Sequence, residues 1–127
     1  MQYRKVGKSG LKVSAISYGT WGTRLWVDEV QTEACILAAL DLGITTIDTA
    51  DVYGWQSSEE VIGRVLKSRP RDSYELLTKV FWDNGSGPNN KGLSRKHIFD
   101  AVEGSLRRLN TDYIDLYQAH SYDVETP

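Results

Sequence analysis

Segments with the character of β-strands alternate along this chain with segments of helical periodicity. Four short apolar or β-branched runs, at residues 15–18, 44–47, 74–78 and 113–119, are separated by three stretches in which apolar residues recur at helical spacing. Strands that alternate with amphipathic helices build a parallel sheet with right-handed crossovers. The predicted fold class is therefore α/β, with four parallel strands and three helices.

Turn and capping residues delimit these segments. Residues 2–6 and 11–13 flank a turn-rich tetrapeptide and predict a β-hairpin ahead of the first core strand. Asp28 and Ser94 fit the N-cap pattern, and 57–60 reads as a capping box. The predicted inner faces are Val30, Ala34, Leu37, Ala38 and Leu42 in the first helix, Val61, Ile62, Val65 and Leu66 in the second, and Ile98, Ala101, Val102, Leu106 and Leu109 in the third.

Chemically distinctive side chains stand at the carboxyl ends of the predicted strands. Asp48, Lys79 and His120 follow the second, third and fourth strands, and Tyr53 comes five residues after Asp48. Because the carboxyl ends of parallel strands share one rim, where the ligand sites of such sheets lie, we expect these four side chains to converge. The turn 19–21, which ends the first core strand, should lie at the same rim.

The four residue types together suit proton donation. A free phenol has a pKa of about 10, too high for efficient proton donation at neutral pH. A nearby ammonium favours the phenolate, and a carboxylate holds that ammonium charged and in place. A neutral imidazole can donate a hydrogen bond that orients a carbonyl oxygen. This combination would protonate an alkoxide as it forms during carbonyl reduction, with the hydride supplied by a cofactor. Taken singly, each residue also has a purely structural explanation.

Composition excludes several other classes of function. Lys and Arg number 15 against 17 Asp and Glu, so no basic surface for nucleic acid is expected. No apolar run approaches the roughly 20 residues of a membrane span, and the N-terminus lacks the apolar core of a signal peptide. We expect a cytoplasmic protein with no metal site. The single cysteine, Cys35, excludes an internal disulfide, and its place in an apolar stripe predicts a buried thiol.

Several longer motifs resemble the aldo-keto reductases. They are Gly19-Thr20-Trp21, Asp48-Thr49-Ala50-Asp51-Val52-Tyr53-Gly54, Thr78-Lys79, and Tyr113-Ile114-Asp115-Leu116-Tyr117-Gln118-Ala119-His120. Residues 91–98 are similar to the branch of the family that includes potassium-channel β-subunits and related microbial reductases. The resemblance runs nearly end to end and includes the hairpin, which in this family closes the bottom of a barrel.

The resemblance implies a (β/α)8 TIM barrel that binds NADPH without a Rossmann domain and reduces aldehydes or ketones. Carried over by position, Tyr53 is the general acid, Lys79 and Asp48 modulate it, and His120 orients the carbonyl. Asp48 and the turn Gly19-Thr20-Trp21 would contact the nicotinamide end of the cofactor. The candidate substrate wall comprises Trp21, Trp55 and Trp82 beside Tyr53 and His120, although simple loop packing would also account for the tryptophans.

The chain departs from the family pattern in its extent. A complete barrel needs about 250 residues, whereas we expect residues 1–127 to form a partial (β/α)8 domain truncated after the fourth strand, the N-terminal half. In the family, most groups that hold the nicotinamide ring, the pyrophosphate and the adenosine 2′-phosphate lie on later strands. We therefore expect the isolated chain to be weakly active or inactive. A second copy or a complementary half could complete the barrel, or the chain could open into a small flavodoxin-like sheet.

Two further functions stay open at this stage. One is a nucleotide-sensing auxiliary subunit like the channel-associated members of the family, although His120 favours a reductase because that branch commonly has asparagine at this position. The other is a non-catalytic fragment with no function of its own, which the length of the chain favours.

Overall fold

A computed structural model describes residues 1–23, 25 and 27–127 of the chain. A hairpin of β1 (Tyr3–Lys5) and β2 (Lys12–Ser14) is followed by β3 (Ser17–Gly19), α1 (Glu29–Asp41), β4 (Thr46–Asp48), α2 (Ser57–Leu66), a 3-10 turn (Arg71–Ser73), β5 (Glu75–Val80), α3 (Arg95–Leu109) and β6 (Leu116–Ala119). The hairpin strands are antiparallel, and the other four form a parallel sheet in the order β3-β4-β5-β6. The predicted order of elements is confirmed, and the architecture is that of half a (β/α)8 barrel.

The register of the sheet separates its two faces. Asp48 pairs with Leu77, and two residues further along β5 Lys79 pairs with Gln118. Since side chains alternate across a strand, Asp48, Lys79 and Gln118 all project from the same face of the sheet. Ile47, one residue before Asp48, projects from the opposite face, where the helices lie. One face of the sheet therefore presents the polar side chains of the candidate site, and the other face packs against the helices in the hydrophobic core.

The hydrophobic core fills the space between the sheet and the three helices. Its buried members are Ile36, Ile47, Val61, Ile62, Val65, Leu66, Tyr74, Leu76 and Leu109. All four inner-face residues predicted for α2 belong to this cluster. In α3, Ala101 and Leu109 are buried as predicted, while Ile98, Val102 and Leu106 are only half-buried. This packing fixes the sheet against the helices and leaves the rim at the carboxyl ends of the strands accessible.

The predicted inner face of α1 is wrong except at Leu37, which is half-buried and packs against the core. Val30 and Leu42 are 78% and 73% exposed, and the helix instead buries Thr32, Ile36 and Ala39. Helix α1 carries apolar residues on more than one side, so periodicity alone did not distinguish its packed face. For the same reason the predicted burial of Cys35 is wrong, because this thiol is exposed. The caps of α1 are as predicted: Asp28 accepts from the Gln31 amide at 2.8 Å, and Gly43 follows the helix with a left-handed φ of 82°.

The start of α2 also differs from the prediction. The N-cap residue is Gln56, with no side-chain cap hydrogen bond, so the predicted capping box at 57–60 does not form. Ser57 donates instead to the Gly54 carbonyl, and Glu59 is fully buried against Arg108. Further along α2, the hydrogen of Gly63 permits close contact with α3, where an added Cβ would lie 2.6 Å from the Arg108 carbonyl oxygen. No helix within the described part of the chain is long and apolar enough to cross a membrane.

Candidate active site

An ion pair joins two strands at the rim of the sheet. The Lys79 ammonium donates to Asp48 Oδ2 at 2.8 Å and to the Thr49 carbonyl at 2.7 Å. Both side chains are largely buried, at 14% exposure for Lys79 and 28% for Asp48. A half-buried pair with a second hydrogen bond holds its geometry better than an exposed pair. The ammonium is therefore fixed in position at the rim.

Tyr53 and His120 lie beside this pair. The Lys79 Nζ is 5.1 Å from the centroid of the Tyr53 ring, and that ring meets the His120 imidazole edge-on at 5.6 Å between centroids. His120 follows β6 directly, and its amide donates to the Val80 carbonyl at 2.9 Å. The structure thus brings together all four side chains that the sequence placed at the rim. Each group contacts the next: the Asp48 carboxylate pairs with the Lys79 ammonium, which lies near the Tyr53 ring, which in turn contacts the His120 imidazole.

The surroundings of His120 favour its neutral form. Burial lowers the pKa of the His120 imidazole below its ordinary value, the nearby Lys79 ammonium lowers it further, and only Asp48 acts in the opposite direction. The Nδ1 atom of His120 is buried and has no hydrogen-bond partner within the described residues. An imidazole that is neutral at physiological pH has one N–H donor and one acceptor nitrogen. Such a ring can orient a carbonyl oxygen without adding a second positive charge.

An aromatic cleft opens over these groups. Its volume is about 300 Å³, and its lining is Trp21, Leu25, Val52, Tyr53, Gly54, Trp55, Trp82 and His120. Trp21, Trp55 and Trp82 are 57%, 87% and 44% exposed, so the three indoles form walls of the cleft and are not part of the core. The Trp82 ring also meets His120 edge-on at 6.3 Å between centroids. The cleft suits an apolar or aromatic molecule with one polar group directed at Tyr53 and His120.

The turn at residues 19–21 is tied to the strand that carries Asp48. The Thr20 amide and hydroxyl both donate to the Asp48 carbonyl, at 3.0 and 3.1 Å, and Ser58 donates to the Thr20 hydroxyl oxygen at 3.1 Å. Gly19 pairs with Asp48 across β3 and β4, and a Cβ at Gly19 would meet no atom within 4 Å. The backbone here is therefore open to close approach by a flat ring. The residues present fit the nicotinamide end of a cofactor, beside Asp48.

Four residues at the site were not predicted from the sequence: Gln118, Leu25, Val52 and Gly54. Gln118 Nε2 lies 3.5 Å from Asp48 Oδ1, at the outer limit of hydrogen bonding. Strand alternation could have identified it, because Gln118 stands two residues before His120. Gly54 has a left-handed φ of 57°, and a Cβ there would lie 2.8 Å from the Thr23 carbonyl oxygen. Among the described residues, no cluster of His, Cys, Asp and Glu could hold a metal ion.

The chain has the fold of half a (β/α)8 barrel, and an Asp, a Tyr, a Lys and a His lie together at its rim. The model of the aldo/keto reductase family matches residues 15–127. The chain therefore belongs to the aldo/keto reductase family, as the resemblance of its motifs predicted.

Similar curated proteins include three that are named as voltage-gated potassium channel β-subunits and one that is named as a reductase. The probable subunit from Oryza sativa subsp. japonica is 43% identical over 132 residues, covering 100% of this chain and 39% of that protein. The putative subunit from Schizosaccharomyces pombe is 44% identical, covering 98% and 38%. The aldo-keto reductase YhdN of Bacillus subtilis is 42% identical, covering 100% and 40%. The chain thus spans about two-fifths of the length of these relatives.

A solved structure shares the fold over the whole chain. It is a thermostable aldo-keto reductase, Tm1743, in complex with the inhibitor epalrestat. The TM-score is 0.85 at 32% identity, and the match covers 100% of this chain and 45% of that chain.

Proposed function

We propose that this chain carries the proton-donating half of a reductase that converts aldehydes or ketones to alcohols with NADPH. The observation that carries the proposal is that Tyr53 contacts both Lys79 and His120. The Lys79 Nζ lies 5.1 Å from the centroid of the Tyr53 ring, and the centroid of the His120 imidazole lies 5.6 Å from the same point. Family membership supports the reaction class. NADPH, when bound, supplies the hydride that adds to the carbonyl carbon.

The residues of this chain then supply the proton and hold the substrate. Tyr53 Oη gives its proton to the carbonyl oxygen as negative charge develops there, which completes the alcohol. The Lys79 ammonium stabilises the phenolate that remains, because an opposite charge nearby favours the anion. Asp48, 2.8 Å from Lys79 Nζ, keeps that ammonium in place. The neutral His120 orients the carbonyl oxygen toward Tyr53.

The substrate class follows from the cleft. Three indoles and the side chains of Leu25 and Val52 present apolar surface, and the polar side chains of Tyr53 and His120 are in contact with each other. We propose a small carbonyl compound with an apolar or aromatic body as the substrate. Trp21, Trp55 and Trp82 would hold that body while His120 and Tyr53 address the carbonyl.

The sheet needs further strands to form a closed barrel. In the described chain, β3 and β6 are the two edges of the four-stranded sheet. Exposed sheet edges pair readily with other strands. We propose that four more βα units complete the barrel, either in the same polypeptide or from a second chain, and that they hold the phosphates of NADPH. Residues 1–127 alone would then reduce carbonyls slowly or not at all.

A nucleotide-sensing subunit is the second candidate. Three relatives of 42–44% identity are named as voltage-gated potassium channel β-subunits. In this case the same rim would bind NADPH and report its redox state to a partner protein. His120 supports the reductase, because it adds a carbonyl-orienting donor for which a sensor has no need. A fragment without a function of its own is the third candidate.

Cofactor binding and turnover, measured separately, distinguish the three candidates. We expect NADPH oxidation with benzaldehyde when residues 1–127 are co-expressed with the C-terminal half of the Bacillus subtilis relative. Tyr53→Phe should lower that rate by about 10²–10⁴-fold, the usual value of a general acid. Tyr122→Phe is the matched control, because Tyr122 is 83% exposed and lies outside the cleft.

Each alternative has its own outcome. NADPH binding, seen as a change in its fluorescence, without turnover by the assembled barrel would favour the sensing subunit. If neither residues 1–127 alone nor the assembled barrel binds NADPH, the result would favour the fragment without a function of its own. Turnover that persists in Tyr53→Phe would contradict the role of Tyr53, and rapid turnover by residues 1–127 alone would contradict the need for further βα units.

A further inference from the structure

A left-handed turn presents Trp55 at the mouth of the cleft. Gly54, Trp55 and Gln56 have φ values of 57°, 55° and 74° in succession. A bulky side chain rarely adopts this backbone conformation, and such strain persists only where the surrounding structure enforces it. Trp55 itself is 87% exposed, so packing of its ring does not provide that enforcement. Contacts of the neighbouring residues must therefore hold the turn.

Gln56 anchors the turn on both sides. Its Nε2 donates to the Asn84 carbonyl at 2.5 Å, and its Oε1 accepts from Arg108 Nη1 at 3.2 Å. Arg108 is itself fixed, because its Nε donates to the buried Glu59 carboxylate at 2.8 Å. The side-chain amide of Gln56 thus holds the turn against α3 and against the loop that follows β5.

Asp51 makes a second link to the same loop. Its Oδ2 accepts from Asn84 Nδ2 at 3.1 Å, while its amide donates to the Lys79 carbonyl at 3.2 Å. Asp51 is fully buried, and its Oδ1 has no partner within the described residues. A carboxylate buried without full compensation is costly, the more so beside the buried Glu59. Such a residue is typical of a site where position matters more than stability.

Trp55 separates two cavities. The aromatic cleft of about 300 Å³ lies on one side, and a second cavity of about 370 Å³ lies on the other, lined by Val52, Trp55, Gln56, Asp83, Asn84 and Gly85. Both cavities share Val52 and Trp55. The placement of the Trp55 ring therefore decides whether the cleft stays narrow or opens into the second cavity.

We propose that Asp51, Gln56 and Asn84, here named the loop clasp, are positioning residues that set the width of the cleft and so the size of carbonyl substrate it accepts. The clasp joins the loop that carries Tyr53 and Trp55 to the loop that carries Trp82. The proposed effect of the loop clasp on substrate size rests on the proposed reductase function. The mechanical link between the two loops stands independently of that function.

Hydrogen exchange on residues 1–127 tests the link without any activity. Asn84→Ala removes the Nδ2 donor to Asp51, and Gln56→Glu keeps the acceptor for Arg108 while it removes the donor to the Asn84 carbonyl. Each should speed amide exchange in residues 53–58 by about tenfold, the worth of one hydrogen bond. Asp51→Asn keeps an acceptor for Asn84, so it should not speed exchange in that segment.

Two controls keep a folding defect separate from a loosened clasp. Asn89→Ala alters an exposed asparagine of the same loop and should have no effect. The amides of Ile47 and Leu76 in the core should stay strongly protected in every variant, as they would not in a protein that had failed to fold. Unchanged exchange of residues 53–58 in both Asn84→Ala and Gln56→Glu would overturn the proposed link, whether or not the protein reduces carbonyls.

Substrate choice is then measured on the barrel completed with the relative's C-terminal half. Asn84→Ala should raise KM for benzaldehyde about tenfold, with a smaller effect on kcat. The ratio of kcat/KM for benzaldehyde to kcat/KM for a bulkier naphthaldehyde should therefore fall. Faster exchange with unchanged KM values for both aldehydes would refute the control of substrate size and leave the link intact. If the wild-type barrel turns over neither aldehyde, the proposed function fails while the exchange result still decides the link.

Discussion

Replacing Asp51 with asparagine should stabilise the protein above pH 6 and leave its stability nearly unchanged near pH 4. Burial and the neighbouring Glu59 together raise the pKa of the Asp51 carboxyl from 3.8 to about 6, against the opposing effects of the hydrogen bond from Asn84 and the charge of Arg108. A carboxyl whose pKa is raised by folding binds its proton more tightly in the folded protein. Its stabilising contribution is therefore complete below pH 3.8 and is lost as the pH rises through about 6.

The magnitude follows from the two pKa values. A tenfold change in proton affinity is worth about 1.4 kcal/mol, so the difference between 3.8 and about 6 corresponds to about 3 kcal/mol between pH 4 and pH 7. Asparagine has nearly the same shape and no charge, and its side-chain oxygen can still accept from Asn84. The advantage of Asp51→Asn in free energy of unfolding should thus grow by about 2–3 kcal/mol across this interval.

Urea unfolding followed by far-ultraviolet circular dichroism at several pH values from 4.5 to 7.5 measures this difference. Titration of His97 and His120 affects both proteins equally and cancels in the comparison. Asp123→Asn is the control of opposite sign. Hydrogen bonds from Thr126 and from the amides of Leu93 and Glu125 lower the pKa of Asp123, so its contribution is present at neutral pH and lost in acid. A pH-independent difference between Asp51→Asn and wild type would refute the reasoning.

Two further substitutions test the packing and the site. Gly63→Ala should lower the free energy of unfolding by about 1–3 kcal/mol, because the new Cβ would lie 2.6 Å from the Arg108 carbonyl oxygen. Chemical denaturation measures this free energy. A higher value for Gly63→Ala, which is the usual effect of replacing glycine with alanine at an open helix position, would contradict that packing. Lys79→Met removes the 2.8 Å ion pair with Asp48 and should slow benzaldehyde reduction by the completed barrel about a hundredfold or more. Lys91→Met, in an exposed loop, should leave kcat unchanged, and an equal loss in both variants would argue against a specific role for Lys79.

Local sequence patterns were sufficient to predict most of the fold. Strand and helix periods differ, so the alternation of elements and the inner face of α2 could be read directly. The caps at Asp28 and Ser94 were also predicted, because each depends on residues only three positions apart. Convergence of Asp48, Lys79 and His120 at one rim followed from the parallel topology alone. The chemical roles of these residues, and of Tyr53, remain predictions.

Local sequence patterns failed to predict features that depend on packing between distant elements, such as the buried face of α1 and the start of α2. Helix α1 has apolar residues on more than one side, so only its contact with the sheet and α2 determined that Ile36 is buried and Val30 exposed. The predicted capping box failed because Ser57 is already part of the helix and its hydroxyl donates to the Gly54 carbonyl. The buried ion pair of Glu59 with Arg108, 49 residues away in the sequence, has no local signature either.

The amino-acid sequence by itself determined the order of strands and helices and which strand ends carry an acid, an amine and an imidazole, because both depend on local spacing. Only the tertiary structure decided how Trp55 is placed and how the two rim loops are joined. Those features depend on the hydrogen bond that Asn84 donates to Asp51 and the one that Gln56 donates to Asn84, between residues 33 and 28 positions apart in the sequence. Such contacts form only after the sheet and helices have brought the loops together.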